Sequence, residues 1–228
     1  MTATPNASIG PEHAAYVPRL LPGWASASEG LAHRELDASL VMFDISGFTR
    51  LTERLSRQGR AGAEELSEVL HAVFTPLVAI AEDEGSDLLK WGGDAVLLLL
   101  DGPGHALRAA RAARGMHRVL GRVGHLRTSA GRVVLRASSG IHSGTVHLVL
   151  AGDPLVHREL IVVGPAASAV CRGVRAAGPG QIVVSDATAR ALPSQLLGAT
   201  VPAGRVLLNQ AVPAPAVLPV ESARSRAP

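Results

Sequence analysis

The sequence has little cysteine and little lysine, and it lacks long hydrophobic runs. Its 228 residues include a single cysteine, Cys171, and a single lysine, Lys90. One cysteine excludes a disulfide within the chain and is typical of proteins in a reducing compartment. No apolar run approaches the roughly 20 residues of a membrane span, and the first residues lack the basic-then-apolar pattern of a signal peptide. We therefore predict a cytoplasmic protein with no membrane partner.

Aromatic residues are also scarce, and this bears on the class of binding partner. The chain has only two tryptophans, one tyrosine and three phenylalanines. RNA-binding sheets stack bases on exposed aromatic side chains, which this sequence can hardly supply. The charge gives no separate support for nucleic-acid binding. The 22 lysines and arginines are nearly matched by 19 acidic residues, for a formal net charge of +3. A nucleic-acid-binding domain is therefore disfavoured.

The length indicates one domain with extensions, since a single core can serve a chain of this size. We expect an N-terminal extension over 1–37, a domain over 38–210 and an Ala/Pro-rich tail over 211–228. Within the extension, the segment 15–24 holds Tyr16 and Trp24 and is expected to dock on the domain.

The first informative motif runs from Val41 to Thr49 and reads V-M-F-D-I-S-G-F-T. The apolar run Ser39 to Phe43 predicts a buried strand that ends at Asp44, and Gly47 begins a turn into a helix. A carboxylate at the end of a strand, beside a glycine that lets the backbone approach a ligand, suits a metal-phosphate site.

The second motif ends at Asp94 and reads L-L-K-W-G-G-D. Its Gly92-Gly93 pair predicts a two-residue hairpin turn between strands over 87–91 and 94–100. If these strands are neighbours of the first strand in one sheet, Asp44 and Asp94 converge on the same cations.

The remaining elements follow from hydrophobic spacing. We predict a first strand over 39–45, a helix over 47–56, a polar connector over 57–62 and a long amphipathic helix after it. The apolar stripe of that helix comprises Leu66, Val69, Leu70, Val73, Leu77, Val78 and Ile80. A third helix over 105–120 carries arginines 108, 111, 114 and 118 three or four residues apart, which indicates a solvated face rather than a site for an acidic partner. The segment 133–150 is interpreted as a strand, a bend and a strand.

The two motifs resemble those of the class III adenylyl/guanylyl cyclase homology domain, F-D-I-x-G-F-T and K-x-x-G-D. With the block 62–66, G-A-E-E-L, they most resemble the first, soluble-adenylyl-cyclase-like domain of a tandem pair. The resemblance covers about 38–192. It implies an α/β (α+β) fold with a ferredoxin-like βαββαβ core, a mostly antiparallel sheet flanked by helices, and a head-to-tail dimer.

The resemblance also implies roles for the residues of these motifs. Asp44 and Asp94, with the Ile45 carbonyl, would hold two Mg²⁺ or Mn²⁺ ions. The backbone of Gly47, Phe48 and Thr49 would offer N–H groups to the phosphates, and Lys90 would point at the base. The implied reaction makes a 3',5'-cyclic nucleotide and pyrophosphate, from ATP in preference to GTP.

Further along the chain, the block from Gly140 to Gly144 matches a family motif around His142. An arginine that reaches the triphosphate in some members is replaced here by Ser138, and Arg136 lies on the same face of the predicted strand. Arg136 is therefore a candidate substitute for it. His142 is interpreted as structural, hydrogen-bonded at a sheet edge.

The block from Glu159 to Arg172 departs from the family pattern at two positions. Ser168 replaces the asparagine that orients the ribose, whereas Arg172 keeps the arginine that stabilises charge in the transition state. Ile161 replaces a polar residue that helps to read the purine, and its side chain cannot hydrogen-bond a base. Gly164 and Pro165 predict the start of the helix that carries Ser168 and Arg172.

These departures leave two functional hypotheses. In the family a site joins the aspartates of one domain to the lysine, asparagine and arginine of another, so a single domain cannot close its own site. The chain is either a nucleotidyl cyclase, as a homodimer or with a second cyclase homology domain, or a catalytically weak or silent module. Such a module would bind nucleotide and regulate or complete a partner domain.

Overall fold

The computed structural model describes residues 17–21, 24, 32–153 and 157–213. Its strands and helices are β1 (His33–Ser46), α1 (Phe48–Ser56), α2 (Arg60–Asp83), β2 (Asp87–Gly92), β3 (Ala95–Asp101), α3 (His105–Val123), β4 (His125–Thr128), β5 (Gly131–Val134), β6 (Arg136–Asp153), β7 (His157–Val163), α4 (Gly164–Ala176), β8 (Ile182–Val184), α5 (Asp186–Ala191), β9 (Leu197–Val201) and β10 (Gly204–Leu207). Across these ranges no helix is both long and apolar enough to cross a membrane. The rest of the predicted N-terminal extension, and the tail beyond 213, lie outside the described residues.

The main sheet has the strand order β2-β3-β1-β6-β8-β10-β9, and β7 pairs with β6. All its pairs are antiparallel except β6 with β8. The four strands β1, β2, β3 and β6, with α2 and α3 between them, have the order and connections of a βαββαβ unit. The predicted ferredoxin-like core and mostly antiparallel sheet are therefore confirmed.

Alternation along β1 divides the core between the two faces of the sheet. On the first face, Val41, Phe43 and Ile45 are fully buried with residues of α2 and α3. On the second face, Ala38 and Leu40 are buried with residues of α4 and with Trp24. Asp44 has the parity of Leu40 and so lies on the second face, at the end of the strand.

The described part of the N-terminal extension docks beside β2, as expected. The backbone N–H groups of Arg19 and Leu20 donate to the two carboxylate oxygens of Asp87, each at 2.8 Å. Trp24 is 2% exposed and packs in the core of the second face. These contacts use one of the few aromatic residues to close that end of the core.

Several predicted boundaries shift in the structure. β1 begins at His33 rather than Ser39, and α2 begins at Arg60, inside the predicted connector. The hairpin turn is Gly93-Asp94 rather than Gly92-Gly93, because Gly92 still pairs with Ala95 in the ladder. In the predicted apolar stripe of α2, Leu70 is 36% exposed and does not belong to the core.

The prediction of a solvated arginine face on α3 is wrong for three of its four arginines. Arg108 donates to the carbonyl oxygens of Glu84 and Asp101. Arg111 pairs with the Glu84 carboxylate at 2.8 Å. Arg114 is 8% exposed and donates to the Leu208 carbonyl and the Asn209 side chain. Guanidinium groups have several donors, so arginines spaced along one helix can tie α3 to three separate loops.

Candidate functional site

Asp44 lies where β1 approaches its end, between two neighbouring strands. It is directly opposite Ala95 of β3 and Ser138 of β6. Burial, and secondarily the negative charge of Asp94, raise the pKa of the Asp44 carboxyl. The structure therefore brings the two aspartates of the two motifs together, close enough for one to resist the ionisation of the other.

Asp94 is held in place by contacts to both elements of the first motif. Its backbone carbonyl accepts a hydrogen bond of 3.1 Å from Ile45 N–H. Its Oδ2 atom accepts one of 3.1 Å from the Thr49 hydroxyl. The β2–β3 turn is thereby fixed against the end of β1 and the first turn of α1.

The first turn of α1 follows Asp44 closely because Gly47 makes a tight turn. Gly47 has φ 94°, and a Cβ atom there would lie 3.3 Å from the Val134 carbonyl oxygen. The first N–H groups of a helix have no acceptor within the helix, so they are free to bind an anion. An open groove of about 580 Å³ runs along this turn and is lined by Phe48, Thr49 and Asp94 among others.

Three aromatic rings pack in a row next to the site. Phe48 of α1 stands edge-to-face with Phe74 of α2, with ring centroids 5.6 Å apart, and Phe74 does the same with Trp91 of β2 at 4.9 Å. Edge-to-face packing is the favoured arrangement of such rings. Half of the aromatic residues of the chain thus connect the hairpin to α1 through α2.

A second groove beside the site holds three arginines that belong to neither sequence motif. It has a volume of about 520 Å³ and starts at Gly47 and Thr49, and its basic residues are Arg50, Arg54 and Arg132. Arg50 and Arg54 are four residues apart on α1, a spacing that signals a shared face. Arg132 comes from β5, and nothing in its local sequence indicates that it joins them.

Lys90 has an acidic partner within its own chain. Its Nζ atom lies 2.6 Å from Glu159 Oε1 of β7, and the two side chains are 56% and 46% exposed. The hydrogen bond and charge of Lys90 lower the pKa of the Glu159 carboxyl. Lys90 is directly opposite Leu97, which is opposite Met42 of β1, so it lies on the same face of the sheet as Asp44.

Helix α4 carries Ser168 and Arg172, both exposed, on the second face of the sheet. No carboxylate in the described ranges forms an ion pair with Arg172. The helix approaches β6 very closely, since a Cβ atom at Gly140 would lie 2.4 Å from the Val170 carbonyl oxygen. The predicted start of this helix at Gly164 and Pro165 is confirmed.

His142 lies beneath α4 and is hydrogen-bonded, as predicted, but not at a sheet edge. Its Nδ1 atom is 2.9 Å from the Ser185 hydroxyl. β6 runs between β1 and β8 at this point, so the edge placement is wrong. Burial, and then the positive charge of Arg172, lower the pKa of the His142 imidazole.

The other two candidate residues lie at the margins of this face. Arg136 is exposed at the start of β6, opposite Ser46, whereas Ser138 is the residue opposite Asp44. Arg136 and Ser138 share a face, as strand alternation requires. Ile161 is 39% exposed on β7.

A chain of buried hydroxyl groups next to the site was not foreseen. Its hydrogen bonds are 2.7 to 3.2 Å long and connect one face of the sheet to the other. In order, the chain is His105, Ser39, Ser143, Thr188, Ser185 and His142. Three of these residues are serines from separate segments, so no local pattern in the sequence connects them.

Comparisons with known proteins place this fold among cyclase domains. No family model matches the chain. Adenylate cyclase type 10 of Oryctolagus cuniculus is 27% identical over 156 residues, which is 65% of this chain and 9% of that protein. The chain thus spans under a tenth of this relative's length.

The crystal structure of the guanylyl cyclase Cya2 is 26% identical with a TM-score of 0.58 and covers 70% of this chain and 78% of that one. The guanylate cyclase domain of RhGC from Catenaria anguillulae, in complex with GTP, is 22% identical with a TM-score of 0.59, covering 76% of this chain and 94% of that one.

Proposed function

We propose that this chain, which its fold and its relatives identify as a class III cyclase homology domain, is a nucleotidyl cyclase. The observation that carries the proposal is the convergence of Asp44 and Asp94 beside the first turn of α1. The relatives named adenylate and guanylyl cyclase support the same activity. The reaction would convert a nucleoside triphosphate into a 3',5'-cyclic nucleotide and pyrophosphate.

The residues at the site fit a divalent metal. The negative charge of Asp94 adds to burial in raising the pKa of the Asp44 carboxyl, so the two carboxylates are an unfavourable pair by themselves, and a cation between them removes that cost. Carboxylate and carbonyl oxygens are the ligands that Mg²⁺ and Mn²⁺ prefer, so Asp44, Asp94 and the Ile45 carbonyl are the proposed ligands of two ions. Bound there, the ions would supply positive charge to the phosphates and lower the pKa of the attacking hydroxyl.

The chain's own residues would then position the substrate for an intramolecular phosphoryl transfer. The ribose 3'-hydroxyl attacks the α-phosphate, loses its proton, and pyrophosphate leaves with the electron pair of the broken P–O bond. The free N–H groups of Gly47, Phe48 and Thr49 would hold the phosphates, and positioning of this kind accounts for much of the catalysis in phosphoryl transfer. The arginine-lined groove beside them favours the same polyphosphate by charge.

The rest of the site would come from a second cyclase homology domain. Lys90 is proposed to donate to the base, Arg172 to oppose the negative charge of the transition state, and Ser168 to contact the ribose. In a homodimer, each of two sites would join the aspartates of one copy to Lys90, Ser168 and Arg172 of the other. ATP is preferred over GTP in this proposal, and the cytoplasm is the proposed compartment.

The alternative function is a nucleotide-binding module that regulates or completes a partner domain. The ion pair between Lys90 and Glu159 favours it, because that lysine is already neutralised within its own chain. Ile161 offers no hydrogen bond to a base, and Ser168 is shorter than the asparagine that it replaces. In this case the chain would still bind metal and nucleotide.

The deciding experiment measures cyclic-nucleotide formation by the purified chain with Mn²⁺ and ATP, then GTP, over a series of protein concentrations. Asp44→Ala is the inactive control, and nucleotide binding is measured on the same samples. Activity that rises faster than linearly with concentration and disappears in the control supports a homodimeric cyclase. Binding without product supports the module, and a folded chain that neither binds nor reacts contradicts both.

A further inference from the structure

Three side chains that the proposed function does not use converge at the other end of β1. Glu35 is directly opposite His147 of β6, and His33 lies two residues before Glu35 on the same side of the strand. His33 Nε2 is 3.2 Å from His147 Nδ1, and Glu35 Oε1 is 3.3 Å from that same nitrogen. All three atoms lie within 4.8 Å of one another.

Hydrogen bonds within the cluster can satisfy only one of the two contacts to His147 Nδ1 at a time. His147 Nδ1 carries either one hydrogen or one lone pair. As a donor it can serve only one of its two neighbours at full strength. As an acceptor it takes the N–H of His33 but then faces a carboxylate oxygen that also has no hydrogen. A cation between the three atoms satisfies all of them at once.

The distances from His147 Nδ1 to its two neighbours match the distance between two ligand atoms of a tetrahedral metal site. Zinc binds histidine nitrogen at about 2.0–2.1 Å and carboxylate oxygen at about 2.0–2.2 Å, which places tetrahedral ligand atoms about 3.3–3.4 Å apart. The two contacts to His147 Nδ1, at 3.2 and 3.3 Å, already have this length. The side chains of Glu35 and His147 are 56% and 29% exposed, so they can adjust to close the remaining edge.

We propose that His33, Glu35 and His147 bind one divalent transition-metal ion of the Zn²⁺ type. Two imidazoles and a carboxylate are a recognised set of three protein ligands for zinc, with the fourth position open to water or to an outside ligand. Glu35 is nine residues from Asp44 along β1, or about 30 Å at the rise of a strand. The site is therefore independent of the proposed cyclase site and does not rest on it.

The ion would connect two strands, next to the start of a helix. His33 and Glu35 belong to β1, His147 belongs to β6, and the His147 ring packs against the start of α4. A Cβ atom at Gly164 would lie 3.2 Å from His147 Cδ2. Metal binding would thus stiffen the junction from which β7 passes into α4.

The test is a Zn²⁺ titration of the full chain without an affinity tag, in excess Mg²⁺, by competition with a chromophoric chelator. We expect one high-affinity Zn²⁺ per chain. His147→Gln, and separately Glu35→Gln, should weaken it at least about tenfold, since even a residue that only supports a ligand is worth that much. Matched controls are His71→Gln and Glu64→Gln on α2, which should bind Zn²⁺ like the unaltered chain.

Three further results decide the proposal. Co²⁺ should give the visible spectrum of a four-coordinate site in the unaltered chain and in Asp44→Asn, but not in His147→Gln. Equal Zn²⁺ affinity in the unaltered chain and both ligand variants overturns the proposal. So does loss of the tight Zn²⁺ in Asp44→Asn, because the ion would then lie at the aspartate pair. Thermal unfolding in a chelator shows whether each variant is folded, and His33→Gln replaces any that is not.

Discussion

At the scale of single residues, the charge on Asp44 opposes folding in the absence of metal. Its pKa is higher in the folded chain than in the unfolded one, because burial and Asp94 disfavour the carboxylate. The folded state therefore binds the proton more tightly, and stability falls as the pH rises from the unfolded pKa through the raised pKa. The proposed metal-binding carboxylates thus lower stability at the place where they would be needed for binding.

We predict that Asp44→Asn raises the melting temperature near neutral pH in a chelator. The difference from the unaltered chain should vanish as the pH falls through the raised pKa of Asp44, where the carboxyl is protonated and resembles the amide. Added Mg²⁺ should stabilise the unaltered chain and not the variant. Cyclase activity should fall at least about 100-fold. The same melting temperature in Asp44→Asn and in the exposed control Asp101→Asn would contradict this account.

His117 also makes the stability depend on pH, but with the opposite sign from Asp44, since acid lowers the stability here. Burial, and then the charge of Arg114, lower its pKa to about 4. Its Nε2 atom is 2.8 Å from the buried Ser139 hydroxyl. The unfolded chain gains a proton on this histidine as the pH falls through about 6.5, whereas the folded chain does not until about 4. Stability is therefore full above the upper value and is lost between the two.

We expect this one residue to account for about 3 kcal/mol of the fall in unfolding free energy across that window. His117→Gln, which does not titrate there, should flatten the pH dependence, whereas His125→Gln on the exposed strand β4 should leave it unchanged. Urea unfolding at a series of pH values measures both. Parallel curves for the unaltered chain and His117→Gln would refute the assignment.

Substitution of Lys90 tests whether its ion pair with Glu159 contributes to stability or to nucleotide binding. Both partners are about half exposed and screened by solvent, so Lys90→Ala should leave the unfolding free energy nearly unchanged. We expect it to lower nucleotide affinity or alter the preference between ATP and GTP, as measured by calorimetry. Glu159→Gln should have the opposite effect, because it leaves the ammonium free. Unchanged affinities in Lys90→Ala would exclude a role in base recognition.

Single residues were predictable where a local pattern placed them. Asp44 and Gly47 follow from a strand that ends in a tight turn, and Asp94 follows from the hairpin. Arg114 was not predictable, since its burial depends on Leu208 and Asn209, far away in the chain. The zinc ligands His33 and Glu35 lie in a part of β1 that the hydrophobic pattern did not include.

At the scale of elements, the approach of α4 to β6 depends on glycine. A Cβ atom at Gly140 would lie 2.4 Å from the Val170 carbonyl and 2.5 Å from Val174 N, and both are backbone atoms. Helix α4 must move if any side chain is added there. Because α4 carries Arg172, this contact sets the height of the arginine above the sheet.

We predict that Gly140→Ala destabilises the fold by about 1–3 kcal/mol or more through overpacking, and that it lowers any cyclase activity of the chain. Gly121→Ala is the matched control, since Gly121 is exposed on α3 and its Cβ position has no atom within 4 Å apart from its own helix backbone and chain neighbours. It should stabilise by up to about 1 kcal/mol through helix propensity. Equal melting temperatures for the two variants would show that α4 does not rest on Gly140.

Element types followed from periodicity more reliably than element ends. The stripe on α2 predicted a helix because many apolar positions agree, whereas its start at Arg60 depends only on Gly59 and the preceding turn. The one-residue shift of the hairpin turn, from Gly92-Gly93 to Gly93-Asp94, has a similar cause. Either pair of residues can form the turn, and the pairing of Gly92 with Ala95 decides between them.

At the scale of the whole molecule, the proposed homodimer makes a prediction about mixed chains. Asp44→Ala removes the metal half of a site and Arg172→Ala the partner half, so each variant alone should be inactive. A mixed dimer has one site with both defects and one with neither. Random mixing of equal amounts should therefore restore about one quarter of the activity of the unaltered chain, because half of the dimers carry one intact site of two. No recovery from two folded variants would contradict shared sites.

The overall fold was predictable because two motifs at their spacing carry the resemblance, and the order of strands and helices agrees with it. The dimer was not testable in the same way, since an interface depends on a second chain. The division of aspartates and Arg172 between two chains remains a prediction that the mixing experiment decides.

The hydrogen bonds of the buried hydroxyl chain all run in one donor-to-acceptor direction. Its five hydrogen bonds need five hydrogens, and its four hydroxyls supply four, so one terminal imidazole donates from Nδ1 while the other accepts there. Thr188 donates to Ser143, so the bonds run from His142 towards His105. His142 therefore donates from Nδ1, whereas His105 accepts at Nδ1 and its Nε2–H faces Asp37. A tautomer of His105 that donates from Nδ1 would reverse every bond and switch the tautomer of His142, beside Arg172. Nitrogen chemical shifts of the two rings should therefore change together in the unaltered chain and separately in Thr188→Val.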